Sequence, residues 1–90
     1  MKLFYNNIYI MILDPAYDSL PWSECSSYDP DTHYDTLNEA KQECNSNAEC
    51  PMVYWDGYST NFFYPCQKGA TVEYYGNARR FVYKKAGRYI

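Results

Sequence analysis

Apolar and polar positions alternate only weakly along this chain, and the period changes once. Residues 2–13 alternate loosely and contain Ile8, Ile10 and Ile12. That pattern predicts a strand, or two short strands about Asn6-Asn7. Lying open at a sheet edge, such an arm would be able to add to a neighbour's sheet. Residues 14–34 lose the alternation. Asp14-Pro15, Leu20-Pro21 and Asp29-Pro30 break them, and Ser and Asp are frequent. This predicts a long irregular segment. Structureless loops of that length are uncommon unless something ties them down, and Trp22 and Cys25 are the residues placed to do so.

The period then becomes helical. Thr36 and Glu39 stand three apart, the spacing of a capping box: the threonine side chain caps the Glu39 amide and the glutamate reaches back. Leu37, Ala40 and Cys44 follow on one helix face, and the helix should end near 45–47. About two and a half turns do not persist alone in water, so packing and a covalent tie must hold them. After Pro51 the period returns to two. Residues 52–55, 62–66, 71–75 and 79–84 read as strands, separated by Asp56-Gly57, Lys68-Gly69 and Gly76-Asn77. Pro65 puts the second of these at an edge or a bulge. Tyrosine is at home on either face of a strand, so the inward side of Phe81 and Tyr83 is left open. The expected fold is α+β: a small antiparallel sheet of four or five strands on one short helix, within a single domain spanning 1–90.

Composition sharpens this picture. The 90 residues include 12 Tyr, 4 Phe and 2 Trp, and 20% of the chain is aromatic. A domain this small has a thin core. The rings must therefore serve two ends, filling it and facing a partner. Four cysteines, Cys25, Cys44, Cys50 and Cys66, have no C-x-x-C pair among them, so neither a zinc-ribbon nor a thioredoxin-like signature is present. Their even number points to two disulfides with three connectivities open. The spacing favours Cys44 with Cys50, closing a short loop off the helix end, and Cys25 with Cys66, tying the early segment to a late strand. Disulfides predict an extracellular, lumenal or virion-surface setting. The first residues do not read as a secretory signal: Asn6-Asn7 interrupt the apolar run, and Asp14-Pro15 follows it without a small-x-small site. Incorporation into an assembly such as a virus particle is another route to an oxidising place. There is no N-x-S/T sequon, and no apolar run is long enough for a transmembrane helix.

Charge is uneven in sequence. Residues 1–59 hold ten acids and two bases; residues 60–90 hold one acid, Glu73, and six bases. Either the two halves make a dipolar surface, or they interleave in the fold and neutralise each other. Arg79, Arg80 and Lys84 are candidates for a basic face meeting an acidic protein or an anionic glycan. Bases beside Tyr74, Tyr75 and Tyr83 also fit single-strand stacking, but the acidic first half argues against nucleic acid, which is not an expected partner. Tyr54, Trp55 and Tyr58 flank Asp56-Gly57 near Ser59 and Thr60, a candidate aromatic shelf for a sugar. The simpler role for Trp55 is to pack under the helix.

Signals for catalysis are weak. His33 is the one histidine. Asp29, Asp31, His33 and Asp35 alternate before the helix, but the stretch lacks the central Gly and final Glu of an EF-hand loop. It reads as a solvated acidic loop at a helix start, so no metal, cofactor or catalytic residue is expected.

The run from Thr36 to Cys50, followed by Met52-Val53-Tyr54-Trp55, resembles the central helix and loop of PAN/apple-type modules. There a helical cysteine is followed after five residues by a cysteine leading into an aromatic strand. Phe62-Phe63-Tyr64-Pro65-Cys66 and Arg80-Phe81-Val82-Tyr83 are similar to the closing strands, so the resemblance covers roughly residues 34–84. Ala40 stands where the family often carries another helical cysteine. The resemblance implies a non-catalytic binding or assembly module for proteins or glycans, with no universal binding residue to transfer. The expected function is a structural or protein-interaction module, with carbohydrate binding near Trp55 as the alternative.

Overall fold

Thr36 starts the helix as its spacing predicts. Its hydroxyl accepts the Glu39 amide at 3.2 Å, and the Glu39 carboxylate accepts the Thr36 amide at 3.3 Å. Two of the helix's orphan N-terminal donors are thus satisfied reciprocally. In this computed structural model, which describes residues 15–76 and 79–89, the elements are β1 (Pro15–Pro21), β2 (Ser23–Cys25), α1 (Leu37–Asn45), β3 (Met52–Asp56), β4 (Phe63–Pro65), β5 (Val72–Tyr74) and β6 (Arg80–Tyr89). Strands β1, β6, β3 and β4 form a four-stranded antiparallel sheet in that order, and β2 pairs with β5 in a separate antiparallel ribbon. The α+β fold with two disulfides is as expected. The strand expected over 2–13 lies outside the described residues.

The irregular segment expected over 14–34 is a point of correction. Its first half is β1, paired along β6 from Pro15 opposite Tyr89 to Pro21 opposite Phe81. Proline blocks a ladder only where its missing N–H is needed, and here the prolines stand at the ends of an outer strand. Trp22, with φ at 59°, then throws the chain out of the sheet and into β2. Even the remainder is stitched down. Tyr34 and Phe63 exchange two backbone hydrogen bonds of 2.9 Å, and Gln67 donates to the Ser27 carbonyl at 2.9 Å.

Strand β3 shows how the layers form. Met52, Val53 and Tyr54 are consecutive and all buried. Val53 faces the helix, packing with Ala40, Cys44 and Cys50, with Tyr83 and Phe63 at the margin. Met52 and Tyr54 face the other way, joining Val82, Tyr64, Cys25 and Cys66. The sheet is covered on both faces, by α1 on one and by the β2–β5 ribbon on the other, so its centre needs no polar side.

Both disulfides are at joints between layers. Cys25–Cys66 fastens the ribbon to the residue after β4, and Cys44–Cys50 fastens α1 to the approach of β3. The helix has no basic residue in its last turn. Lys85 of β6 supplies the cation instead, donating to the carbonyls of Cys44 at 2.7 Å and Asn47 at 3.3 Å, where the helix dipole favours positive charge. Burial lowers the Lys85 pKa below the ordinary lysine value.

The acidic and basic stretches interleave. Arg80 lies opposite Asp56, Lys84 lies opposite Asp18, and Lys68 bridges Glu49 at 3.6 Å. No helix among the described residues is long and apolar enough to cross a membrane.

Candidate interaction surface

Antiparallel register puts the Arg80 end of β6 beside the Asp56 end of β3. The turn after β3 is built by Asp56. Its carboxylate accepts the Ser59 amide at 3.0 Å, and its carbonyl accepts the Asn61 amide at 2.6 Å. This closed turn holds Tyr58 out from the sheet. From the opposite side comes the end of β5, where the Tyr75 amide donates to the Trp22 carbonyl at 3.0 Å. The Arg80 guanidinium meets both tyrosines, 5.1 Å from the Tyr58 ring centre and 5.4 Å from that of Tyr75. A guanidinium over an aromatic face is attracted by the ring quadrupole.

This arrangement fixes the arginine unusually. Its Nε is 4.0 Å from Asp56 Oδ1, too far for a hydrogen bond, and this buried nitrogen has no hydrogen-bond partner. The rings and the nearby charge hold it instead. Glu24 is the other carboxylate close by. Burial raises its pKa above the ordinary value; Arg80 opposes this, while Glu73 and Asp56 add to it. Glu24 also lies directly opposite Glu73 across the ribbon, and like charges in that position repel.

A group whose folded pKa is raised contributes its stability when protonated, and loses it as pH rises through that pKa. Glu24→Gln is therefore expected to stabilise the protein at pH 7 by roughly 0.5 kcal/mol, with the gain vanishing below about pH 4. Urea melts at the two pH values measure it; a Gln variant that is less stable at pH 7 contradicts the repulsion.

Two exposed aromatics, Tyr58 and Tyr75, meet Arg80, and two more adjoin Tyr75. Among the described residues the exposed large hydrophobic side chains are Trp22 (45%), Tyr58 (66%), Tyr74 (73%) and Tyr75 (51%). All four belong to the turns and strand ends just described. Of the three non-glycine residues with left-handed backbone among the described residues, Trp22 and Arg79 are here as well, and Asn61 ends the Tyr58 turn. For a bulky residue such as Trp22 this conformation is an outlier, and such strain collects at functional sites.

The residues singled out from sequence separate into groups. Tyr58, Arg79 and Arg80 come together at this end. Lys84 is exposed but lies four residues along β6, opposite Met52. Tyr54 is 1% exposed and belongs to the core; it cannot offer a surface, because the ribbon covers its side of β3. Trp55 is half-buried on the helix-bearing face, beside Phe63 at 5.9 Å and Phe81 at 6.0 Å. Its indole N–H is taken by Asn61 at 3.2 Å. The ring lies so close over Gly57 that a Cβ there would come within 2.4 Å of it. Trp22, Tyr74 and Tyr75 are the aromatic members not expected at this surface from sequence, where Tyr74 and Tyr75 read only as rings beside bases. Trp22, expected to anchor its segment inward, points outward instead. The one available signal was the density of Tyr and Trp beside turn residues.

The acidic stretch before the helix is used locally. Asp29 accepts the Asp31 amide at 3.0 Å and the Thr32 hydroxyl at 3.2 Å, and the His33 ring stacks on Phe62 at 4.1 Å. Among the described residues no group of three or more His, Cys, Asp or Glu is placed to hold a metal ion. A groove of about 330 Å³ lies away from the aromatic end, between the end of α1 and the loop after β4, lined in part by Glu43, Glu49, Gln67 and Lys68.

No protein-family model matches the chain, no curated protein matches it, and no solved structure matches its fold.

Proposed function

We propose that this chain is a non-catalytic protein-interaction module, suited to an oxidising setting such as the extracellular space or a virion surface, and that it docks through the aromatic end of its sheet. One observation carries the reading: the exposed Tyr58 and Tyr75 lie against one arginine, and the exposed Trp22 and Tyr74 adjoin Tyr75 along the backbone. Trp, Tyr and Arg are the residue types that dominate binding hot spots, and monomeric proteins seldom leave such rings exposed together without use. Because Tyr58 and Tyr75 are already held against Arg80, little side-chain freedom remains to be lost on docking. Two disulfides buried at the layer joints support the oxidising setting. The capped helix whose cysteine is joined to the one preceding β3 is the part that keeps a PAN/apple-like assignment for residues 34–84 within the proposal.

The test is site-specific photocrosslinking in the producing cell or particle. A crosslinker at Tyr58 should give a discrete protein adduct, one at Lys68 should not, and Trp22→Ala with Tyr75→Ala should remove the Tyr58 adduct. An adduct from position 68 alone overturns the docking surface. A tryptophan fluorescence response to a glycan panel, with no adduct from position 58, replaces this reading with the carbohydrate one.

A further inference from the structure

Among the described residues, acids outnumber bases at the aromatic end. Three carboxylates, Glu24, Glu73 and Asp56, influence one another there. Arg80 acts on Glu24 and also lies against Asp56 and the two tyrosine faces, and Arg79 precedes it in the chain, so three carboxylates meet two arginines at this end. Glu24 and Glu73 are directly opposed across a ribbon whose strands are only three residues long. Among the described residues neither forms an ion pair within 4 Å. Such a pair weakens the ribbon that carries Trp22, Tyr74 and Tyr75. Conflicts of this kind, where a local choice opposes the fold, are expected at functional positions.

Placement gives the conflict a use. Side chains alternate along a strand, so Glu73 and Tyr75 project to the same side of their segment, the side on which Tyr75 meets Arg80. A cation arriving there would find a ring face and two carboxylates together. We infer that the partner presents a basic side chain, lysine or arginine, which stacks on Tyr75 and neutralises the Glu24–Glu73 pair. This rests on the docking reading above and adds the chemistry of the partner. Arginine suits the place better than lysine, since its planar group both stacks and forks to carboxylates. The guanidinium of Arg80 against Tyr75 and Tyr58 is the same contact made within the chain.

Two end-blocked peptides of alternating glycine with arginine or with glutamate test this by amide chemical-shift titration of the full chain. The arginine peptide should move the Glu24, Glu73 and Tyr75 signals, and the glutamate peptide should leave them unmoved. Glu24→Gln with Glu73→Gln should weaken the arginine peptide by about fivefold, as should raising salt to about 0.5 M. Tyr75→Ala should weaken it with both glutamates intact. Equal response to the two peptides, a stronger response to the glutamate peptide, or none to millimolar arginine peptide each overturns the basic partner. The photocrosslink at Tyr58 separates the two conclusions: an adduct that survives the double glutamine substitution unchanged keeps the docking surface and removes the basic side chain.

Discussion

Replacing Cys25 and Cys66 together by alanine is expected to cost about 4 kcal/mol, whereas replacing Cys44 and Cys50 costs about 2 kcal/mol. The ranking comes from loop closure. The two bonds span sequence separations of 41 and 6 residues, and the longer loop removes more entropy from the unfolded chain. A core this small supplies only a few kcal/mol, so the first loss should leave little cooperative unfolding at 25 °C. Packing points the same way. The bond at Cys25 is what rivets a ribbon of two three-residue strands to the sheet, and a two-stranded ribbon is marginal alone. Urea melts of the two double variants, with intact mass before and after reduction of the parent, measure the order. A larger cost for the Cys44–Cys50 pair would contradict it.

Tyr54→Ala is the second large effect, at about 3–5 kcal/mol. The ring lies 5.2 Å from Tyr28 and 5.9 Å from Tyr64 at the centre of the ribbon-side core, and burial raises its phenol pKa above the ordinary value. By contrast Tyr58→Ala, on a ring mostly in water, should cost under about 1 kcal/mol, the value of its contact with Arg80. The two substitutions separate fold from function. Any docking lost in Tyr54→Ala should follow the unfolded fraction, while Tyr58→Ala should lose docking with the fold intact. A Tyr54→Ala protein as stable as the parent would mean that the ring is not part of the core.

Local signals proved legible where the interaction is short in sequence. Thr36 and Glu39 name the helix start because a capping box is complete within four residues. Cys44 and Cys50 pair across a single loop. The turns at Asp56-Gly57 and Lys68-Gly69 delimit β3, β4 and β5, and proline limits where strands can run. Residues 14–34 are illegible for the complementary reason. Pro15 and Pro21 look like breakers when read locally, yet they bound a strand whose hydrogen bonds come from β6, more than 50 residues later in the chain.

The candidate surface divides in the same way. Tyr58, Arg79 and Arg80 stood out as rings and charges beside turns. Tyr74 and Tyr75 are legible only as rings beside bases and Trp22 only as an anchor, since their exposure depends on where the ribbon settles. A tyrosine next to a turn suits either face, so the sequence alone leaves Tyr54 a surface candidate. Only the covering of β3 on both sides decides that Met52, Val53 and Tyr54 are all interior.

By itself, then, the sequence determined the helix and its cap, the α+β class, the favoured cysteine pairs and the surplus of rings over core, all properties of spacing and composition. The tertiary structure decided which rings are surplus, that the acidic and basic stretches interleave, and that Arg80 lies against Tyr58 and Tyr75 near a Glu24 and Glu73 that face each other across the ribbon. Those outcomes depend on strand register and layer stacking, which bring together residues from opposite ends of the chain and leave no mark on the spacing of either.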